Sequence, residues 1–432
     1  MNMRELVPAP SAVVRNEMQS IQEQFRKSVI PSYSRFELAL ERGKGCRVWD
    51  VNGKCYLDMG AGIAVCALGH GSGDITAALV EQSGKLIHVS NLYYHKPQGL
   101  LAGQLAGLIG PGKVFFCNSG AEANEGLFKL ARKFGHEEGR YEILTAENSF
   151  HGRTLAGIAA TGQPKVKKGF EPMVAGFRHI PYNDLAAARA ALSPATAAIL
   201  IEGVQGEGGV RPATAQYLLG LRQLCDEKKL LMMMDGVQCG HFRTGRFQSF
   251  QRILEEDGSA EAAKFLPDGV AMAKSLGGGI PIGAFWVRAP YADVLGAGTH
   301  ATTFGGGPLA CAVALKVLQV IERDGLAANA RAVGSYLLAE VARVAEKYPS
   351  VVREVRGLGL MIGLELAENI PAFAGSDKSA AIQFVNALHQ AGLLAIPAGS
   401  KVIRLLPPLI LSRAEAAEAA SLIETVAGQL SV

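Results

Sequence analysis

The chain has 432 residues, 49% hydrophobic and 19% charged, with a formal net charge of +4. That composition excludes a disordered chain, and the length suits a large core and two domains at ~100–200 residues each. The positive charge is spread out with no Lys/Arg block, which suits small anionic ligands and makes no case for nucleic acid.

Met1–Ile30 carries charges throughout and has no apolar core of signal-peptide type. No apolar run approaches the ~18–20 residues that span a bilayer, so a soluble, cytoplasmic protein with no membrane partner is expected. The seven cysteines show no paired metal or redox spacing and read as reduced thiols, most of them in apolar stretches. The nine histidines form no HxxxH or HExxH cluster, so no metal site is expected.

Residues 47–50 and 54–58 flank Asn52-Gly53, a strong hairpin signal. From about Gly71 to Gly307 strands and helices alternate, the pattern of an α/β domain with a mostly parallel sheet covered on both faces. Strands are expected at 114–117, 141–145, 198–201, 230–234 and 282–287. Beyond Pro308 the texture changes to Ala-rich helices (309–323, 329–347, 378–390, 413–429) around strands at 353–366 and 401–406. The expected organisation is a large domain at 71–308 and a smaller α+β domain at 309–432, completed by residues 1–70.

Two residues carry the strongest chemistry. Asp235 closes the run Leu230-Leu-Met-Met-Met234, and Lys274 stands just before Gly277-Gly-Gly279. An acid at the carboxyl end of a buried strand points into the crevice where α/β folds bind ligands. With a lysine that reaches the same crevice, it suggests a pyridoxal 5'-phosphate (PLP) site: the amine forms the Schiff base and the acid partners the pyridinium nitrogen.

Phe115–Glu125 runs from a strand into a helix, with Ser119 and Glu122 at capping-box spacing. Gly120 and Ala121 lack bulk, so the free N–H groups of the first turn lie open to an anion such as phosphate. Ser149-Phe-His-Gly-Arg-Thr154 offers Phe150 to stack on a flat ring and Arg153 to hold a carboxylate in bidentate fashion. Glu202 and Glu207 lie in a glycine-rich loop after an apolar strand; Arg404, a lone cation in another apolar strand, is the best partner for these acids.

Taken in order, these segments, with Val237-Gln-Cys-Gly, Arg243-Thr-Gly-Arg, Ala273–Gly279 and Thr299–Gly306, resemble the class-III PLP-dependent aminotransferases over roughly Pro31 to Leu411. The resemblance implies a fold-type-I PLP-dependent transferase. It further implies that Lys274 holds the cofactor and shuttles the proton, that Asp235 keeps the ring nitrogen protonated, and that Gln238 bonds the ring oxygen. Ser119, Gly120 and Ala121 would cradle the phosphate under a stacked Phe150. Thr303 would come from the other subunit of a homodimer with a shared site. Arg153 would hold one substrate carboxylate; Arg404 would bind that of glutamate or 2-oxoglutarate and be masked by Glu207 for the other substrate.

Segments 160–172 and 180–184 look like family members acting on N-acetylornithine and unlike those acting on 4-aminobutyrate. Ile63 stands where ornithine-specific members carry a tyrosine. N-acetylornithine with 2-oxoglutarate is therefore the expected pair. The alternatives are succinylornithine, succinyl-diaminopimelate, ornithine or 4-aminobutyrate as donor, or a PLP-binding homologue of low activity. Departures from the family pattern are Gly236 for glutamate, Gly203 for proline, Gly307 for asparagine and Cys66 for asparagine. Residues 251–264 read as a surface helical insertion. Gly236 in particular would hold Asp235 less firmly.

Overall fold

The computed structural model describes residues 12–431, so part of the Met1–Ile30 reading lies outside the described residues. Its centre is a seven-stranded sheet in the order Gly112–Cys117, Gly283–Arg288, Gly269–Met272, Leu231–Asp235, Thr196–Glu202, Glu142–Ala146, Phe177–Ile180. Gly283–Arg288 runs antiparallel to both of its neighbours, and the remaining pairs are parallel. Thr196–Glu202 and Leu231–Asp235 are buried at every position. Strands covered on both faces are expected to be nearly continuous apolar runs rather than alternating, and these are, apart from Thr196 at one start and an acid at the end of each.

The five strands expected between residues 114 and 287 are present within a residue or two. The edge strand Phe177–Ile180 was not anticipated: Phe-Arg-His-Ile is half polar and carries no buried-strand signature. The Asn52-Gly53 hairpin forms between Arg47–Asp50 and Cys55–Asp58. Gly53 has φ 79°, and Asp50 Oδ1 accepts from Asn52 N and Lys54 N, each at 2.9 Å. The same hairpin pairs in parallel with Leu393–Leu394, so early and late parts of the chain share a sheet.

A third sheet is built from Val352–Leu358, Met361–Leu366, Val402–Leu405 and Ile396–Ala398. Helix Pro308–Arg323 lies between the cores, with Cys311, Ala314 and Leu318 packed toward the central sheet. Val313, Val317 and Ile321 pack toward the C-terminal helices. Buried Arg243 donates to Leu360 O at 3.0 Å and Pro407 O at 2.7 Å, tying the loop after Asp235 to the C-terminal strands. The 251–264 region is helical (Ser249–Asp257 and Ala260–Lys264), but it does not lie loosely on the surface: Phe250, Ile253, Leu254 and Ala262 join the core. Among the described residues no helix is long and apolar enough to cross a membrane.

Helix Gly120–Phe134 packs on the sheet through Gly126, where a Cβ would overlap the buried Phe285 ring. Gly126→Ala is therefore expected to destabilise the protein by about 1–3 kcal/mol through overpacking. Denaturant unfolding checks this, and adding Phe285→Leu should return part of the loss.

Candidate functional site

The carboxyl ends of the central strands converge on a cavity of about 430 Å³. Glu202 and Asp235 end adjacent parallel strands and are paired directly in register. Lys274 follows Gly269–Met272, and Ser119 follows Gly112–Cys117. Nine of the eleven site residues expected from the sequence line it: Ser119, Gly120, Ala121, Phe150, Arg153, Glu207, Asp235, Gln238 and Lys274; Arg404 lies just behind Glu207, and Thr303 stands apart.

Asp235 is buried and held by three donors. Asn124 Nδ2 donates to Oδ2 at 2.8 Å, His151 Nδ1 lies 2.8 Å from the same oxygen, and Val237 N donates to Oδ1 at 3.0 Å. A carboxylate oxygen accepts two hydrogen bonds, so Oδ1 keeps capacity for one more donor. Glu202 is also buried, accepting from Phe150 N at 3.3 Å and Gly206 N at 3.4 Å. Burial first, and then the Asp235 charge beside it, push its carboxyl well above the usual range.

Lys274 reaches the cavity from a backbone with φ 49°, the left-handed region that residues with a Cβ avoid. Desolvation, and next the Arg404 charge, lower its amine to about 8. Arg404 is buried: Nη1 donates to Glu207 Oε1 at 2.7 Å and to Gln238 Oε1 at 2.9 Å, and Nη2 donates to Pro397 O at 3.1 Å. Burial alone would raise Glu207, but the charge and hydrogen bond of Arg404 outweigh it and hold the carboxyl below its usual value. Of the two acids in the loop, only Glu207 meets Arg404.

Ser119 caps helix Gly120–Phe134, its Oγ accepting from Glu122 N at 3.2 Å. The reciprocal bond is displaced by one residue, since the Glu122 carboxylate accepts from Asn118 N. The N–H groups of Gly120 and Ala121 open into the cavity with no acceptor within the helix. The Arg153 guanidinium stands 5.4 Å from the Phe150 ring centroid at the exposed side. Thr303 is elsewhere: exposed, it lines a separate cavity of about 370 Å³ with Asn118, Glu122 and Phe304. Taken together, an anion cradle, an amine and a buried carboxylate with a free acceptor suit a flat, cationic, phosphate-bearing ring.

Two of the glycine departures have occupants. A Cβ on Gly236 would overlap Gln248 Oε1, and one on Gly203 would overlap Ser249 Oγ. Gln248 and Ser249 are adjacent and buried. Asp235 draws its three hydrogen bonds from other residues, so the missing side chain at 236 removes none of them. Asn124 and His151 were inside the motifs noted from the sequence, but nothing local distinguished them from packing residues; Glu202 was noted as a loop acid in need of a partner, and Arg404 is not that partner.

The aminotransferase class-III family model matches residues 29–427. The chain is 46% identical over 416 residues to the acetylornithine aminotransferase of Gloeobacter violaceus, covering 96% of this chain and 99% of that one. It is 48% identical over 411 residues to the protein of the same name from Nostoc, covering 93% and 92%. Among solved structures, N-acetylornithine aminotransferase from Stenotrophomonas maltophilia aligns with TM-score 0.77 and 35% identity over 95% of this chain and 98% of that one. Ornithine aminotransferase from Toxoplasma gondii, in a structure with partial occupancy of PLP at the active site, aligns with TM-score 0.87 and 31% identity over 97% of each chain.

Because the Lys274 ammonium is disfavoured, its free amine is available above about pH 8 rather than near the ordinary lysine value. Cofactor-free protein titrated with a small amine-selective reagent, and read by mass spectrometry, should label Lys274 with a midpoint near that pH. Arg404→Gln removes a cation that opposes protonation, so the midpoint should move upward. Gly236→Glu should destabilise the protein by about 1–3 kcal/mol through collision with Gln248. Gly236→Glu combined with Gln248→Ala should recover much of that loss in thermal unfolding.

Proposed function

The chain belongs to the class-III aminotransferases, and on that premise we propose that it moves the ω-amino group of N-acetylornithine to 2-oxoglutarate. The products are N-acetylglutamate semialdehyde and glutamate, a cytoplasmic step of arginine biosynthesis. The observation that carries this reading is one cavity onto which Lys274 and Asp235 open, gated by an ion pair between Glu207 and buried Arg404.

The cavity fits PLP because a buried carboxylate with spare acceptor capacity faces the same space as an amine and the open N–H groups of a helix start. Bound there, PLP supplies a cationic ring that takes up the electron pair left when an amine-bearing carbon loses a proton. Asp235 keeps the ring-nitrogen proton in place, its own charge oriented by Asn124, His151 and Val237 N. Gly120 and Ala121 would hold the phosphate through their N–H groups beside the Ser119 hydroxyl, and Phe150 would pack against the ring. Gln238 spends its carbonyl on Arg404, which leaves its NH₂ to donate to the ring oxygen. Lys274, with an amine at about 8, serves as nucleophile and then carries the proton between carbons.

Two substrates must use one pocket. Arg153 holds a carboxylate at the exposed side. Glu207 covers Arg404 while the donor's uncharged acyl end or its amine is near, and releases it to the carboxylate of 2-oxoglutarate. Ile63, with no hydroxyl to meet a free α-amino group, favours the acylated donor over ornithine.

The same reading makes the protein a homodimer with a shared site. Leu92, Tyr93, Tyr94 and Phe304 are strongly exposed, and Asn91 Nδ2 donates to Gly305 O at 2.9 Å, so these apolar segments adjoin. They surround Thr303, whose hydroxyl would reach the phosphate cradle of a second copy.

A donor panel scored by glutamate formed should rank N-acetylornithine first; a preference for ornithine or 4-aminobutyrate would overturn the choice of substrate. Truncating one partner of a buried charge pair costs about 2–5 kcal/mol. Glu207→Ala is accordingly expected to weaken use of the ω-amino donor at least tenfold more than use of glutamate, measured as separate half-reactions. Equal losses would refute the gate. Mixing Lys274→Ala with Thr303→Ala subunits should yield more activity than either alone, because each hybrid dimer would regain one complete site.

A further inference from the structure

Four consecutive residues in the loop after Cys55–Asp58 have positive φ: Ala61 at 47°, Gly62 at 64°, Ile63 at 62° and Ala64 at 59°. Three of them carry a Cβ, and the left-handed conformation disfavours each of these. Hydrogen bonds from Ala64 N to Gly60 O at 3.0 Å and from Val65 N to Ala61 O at 2.8 Å close the turn on itself. At its start, Asp58 Oδ1 accepts from Gly60 N at 2.8 Å and Ala61 N at 2.9 Å. At its end, Ser275 Oγ donates to Ala64 O at 2.6 Å. Ser275 and Ala64 are both buried, and among the described residues no other donor reaches that carbonyl.

Ser275 follows Lys274, itself a left-handed residue at φ 49°. One hydrogen bond therefore joins two strained backbones, one carrying the amine of the cavity and the other ending one residue before Val65 on its wall. On one side is the amine. On the other is the turn bearing Ile63, followed at once by Val65, which lines the cavity wall. Neither strain is relieved locally, since the turn contains a single glycine and Lys274 is none. Such conformations persist only where the surroundings over-determine them.

We infer that Ser275 is a positioning residue that clamps the Ala61–Ala64 turn in its left-handed form, and thereby sets where Ile63 and Val65 meet the amino donor. The inference rests on the transaminase reading for its kinetic consequence but not for its structural one. Without the hydroxyl, the Ala64 carbonyl is buried without a donor, and the turn is free to move toward right-handed backbone. Ile63 and Val65 move with it. The carboxylate held by Arg404 is on another wall, so the keto acid is insensitive to the change.

The test compares PLP-loaded wild type, Ser275→Ala, Ala61→Gly and the Ser275→Ala/Ala61→Gly double variant. Glycine takes positive φ without strain, so Ala61→Gly lowers what the clamp must hold. Ser275→Ala should speed amide hydrogen exchange at residues 64–66 by about tenfold, the equivalent of one net hydrogen bond. It should also raise the donor KM by about the same factor with KM for 2-oxoglutarate within about twofold. The double variant should restore slow exchange and donor KM. Unchanged exchange in Ser275→Ala, equal rises in both KM values, or no restoration by Ala61→Gly would each overturn the clamp. If no donor yields glutamate while exchange behaves as expected, the choice of reaction fails and the clamp stands. Should Ser275→Ala not fold, Ala61→Gly alone decides: slower exchange than wild type at residues 64–66 supports stored strain, and unchanged exchange refutes it.

Discussion

A carboxylate sealed at the end of an apolar sheet is the constraint around which this site is organised. Asp235 closes a strand buried at every position, where an unpaired charge would be severely penalised. Three hydrogen bonds, from Asn124, His151 and Val237 N, make the charge tolerable without neutralising it. No arginine or lysine is ion-paired to it among the described residues, and the basic side chain at hydrogen-bond distance is His151. The remaining negative potential is thus directed into the cavity, where a cationic ring would relieve it.

The other charges of the cavity follow from that one. Glu202, its neighbour across the strand pair, has its carboxyl pushed well above the usual range, by burial first and then by the Asp235 charge. Lys274 is pulled both ways: Glu207, Asp235 and Glu202 favour its ammonium, yet desolvation and Arg404 win and leave an amine at about 8. Against its burial, Glu207 is held below its usual value, chiefly by the charge and hydrogen bond of Arg404. Moving Glu207 off Arg404 would change the field at Lys274, so on the proposed reading substrate exchange would be coupled to amine protonation through these three side chains.

How much of this the sequence disclosed depended on range. The buried strands were legible because continuous apolar runs have one structural use, and the helix start at Gly120 because capping chemistry is local. Arg404 was conspicuous as a cation in an apolar strand, although its distance from Glu207 had to come from the fold. Asn124 and His151 were not legible as anchors: the first looks like a helix residue, the second like a loop histidine, and only the meeting of helix, loop and strand gives both the same oxygen. The strand Phe177–Ile180 was missed because an edge position does not demand an apolar sequence. The left-handed turn at Ala61–Ala64 was least legible of all, since Ala-Gly-Ile-Ala carries one glycine where the backbone uses four positive φ values.

The glycine departures show the same lesson at the level of volume. Read as a sequence, Gly236 and Gly203 are lost side chains near an active aspartate. In the fold they are gained space, filled by Gln248 and Ser249 from the start of one helix. Ser249 Oγ donates to Cys239 Sγ at 3.1 Å, and Gly236 N donates to Ala271 O at 2.9 Å, so the loop after Asp235 is braced from both sides. Helix Ser249–Asp257 runs into the 251–264 segment that looked like a surface insertion, and its first residues, which precede that segment, are buried. Gln248 and Ser249 precede the 251–264 segment, so it is the start of this helix that fills the space beside the two glycines. Firm support for Asp235 survives because interior packing is conserved as filled volume, whichever part of the chain supplies the atoms.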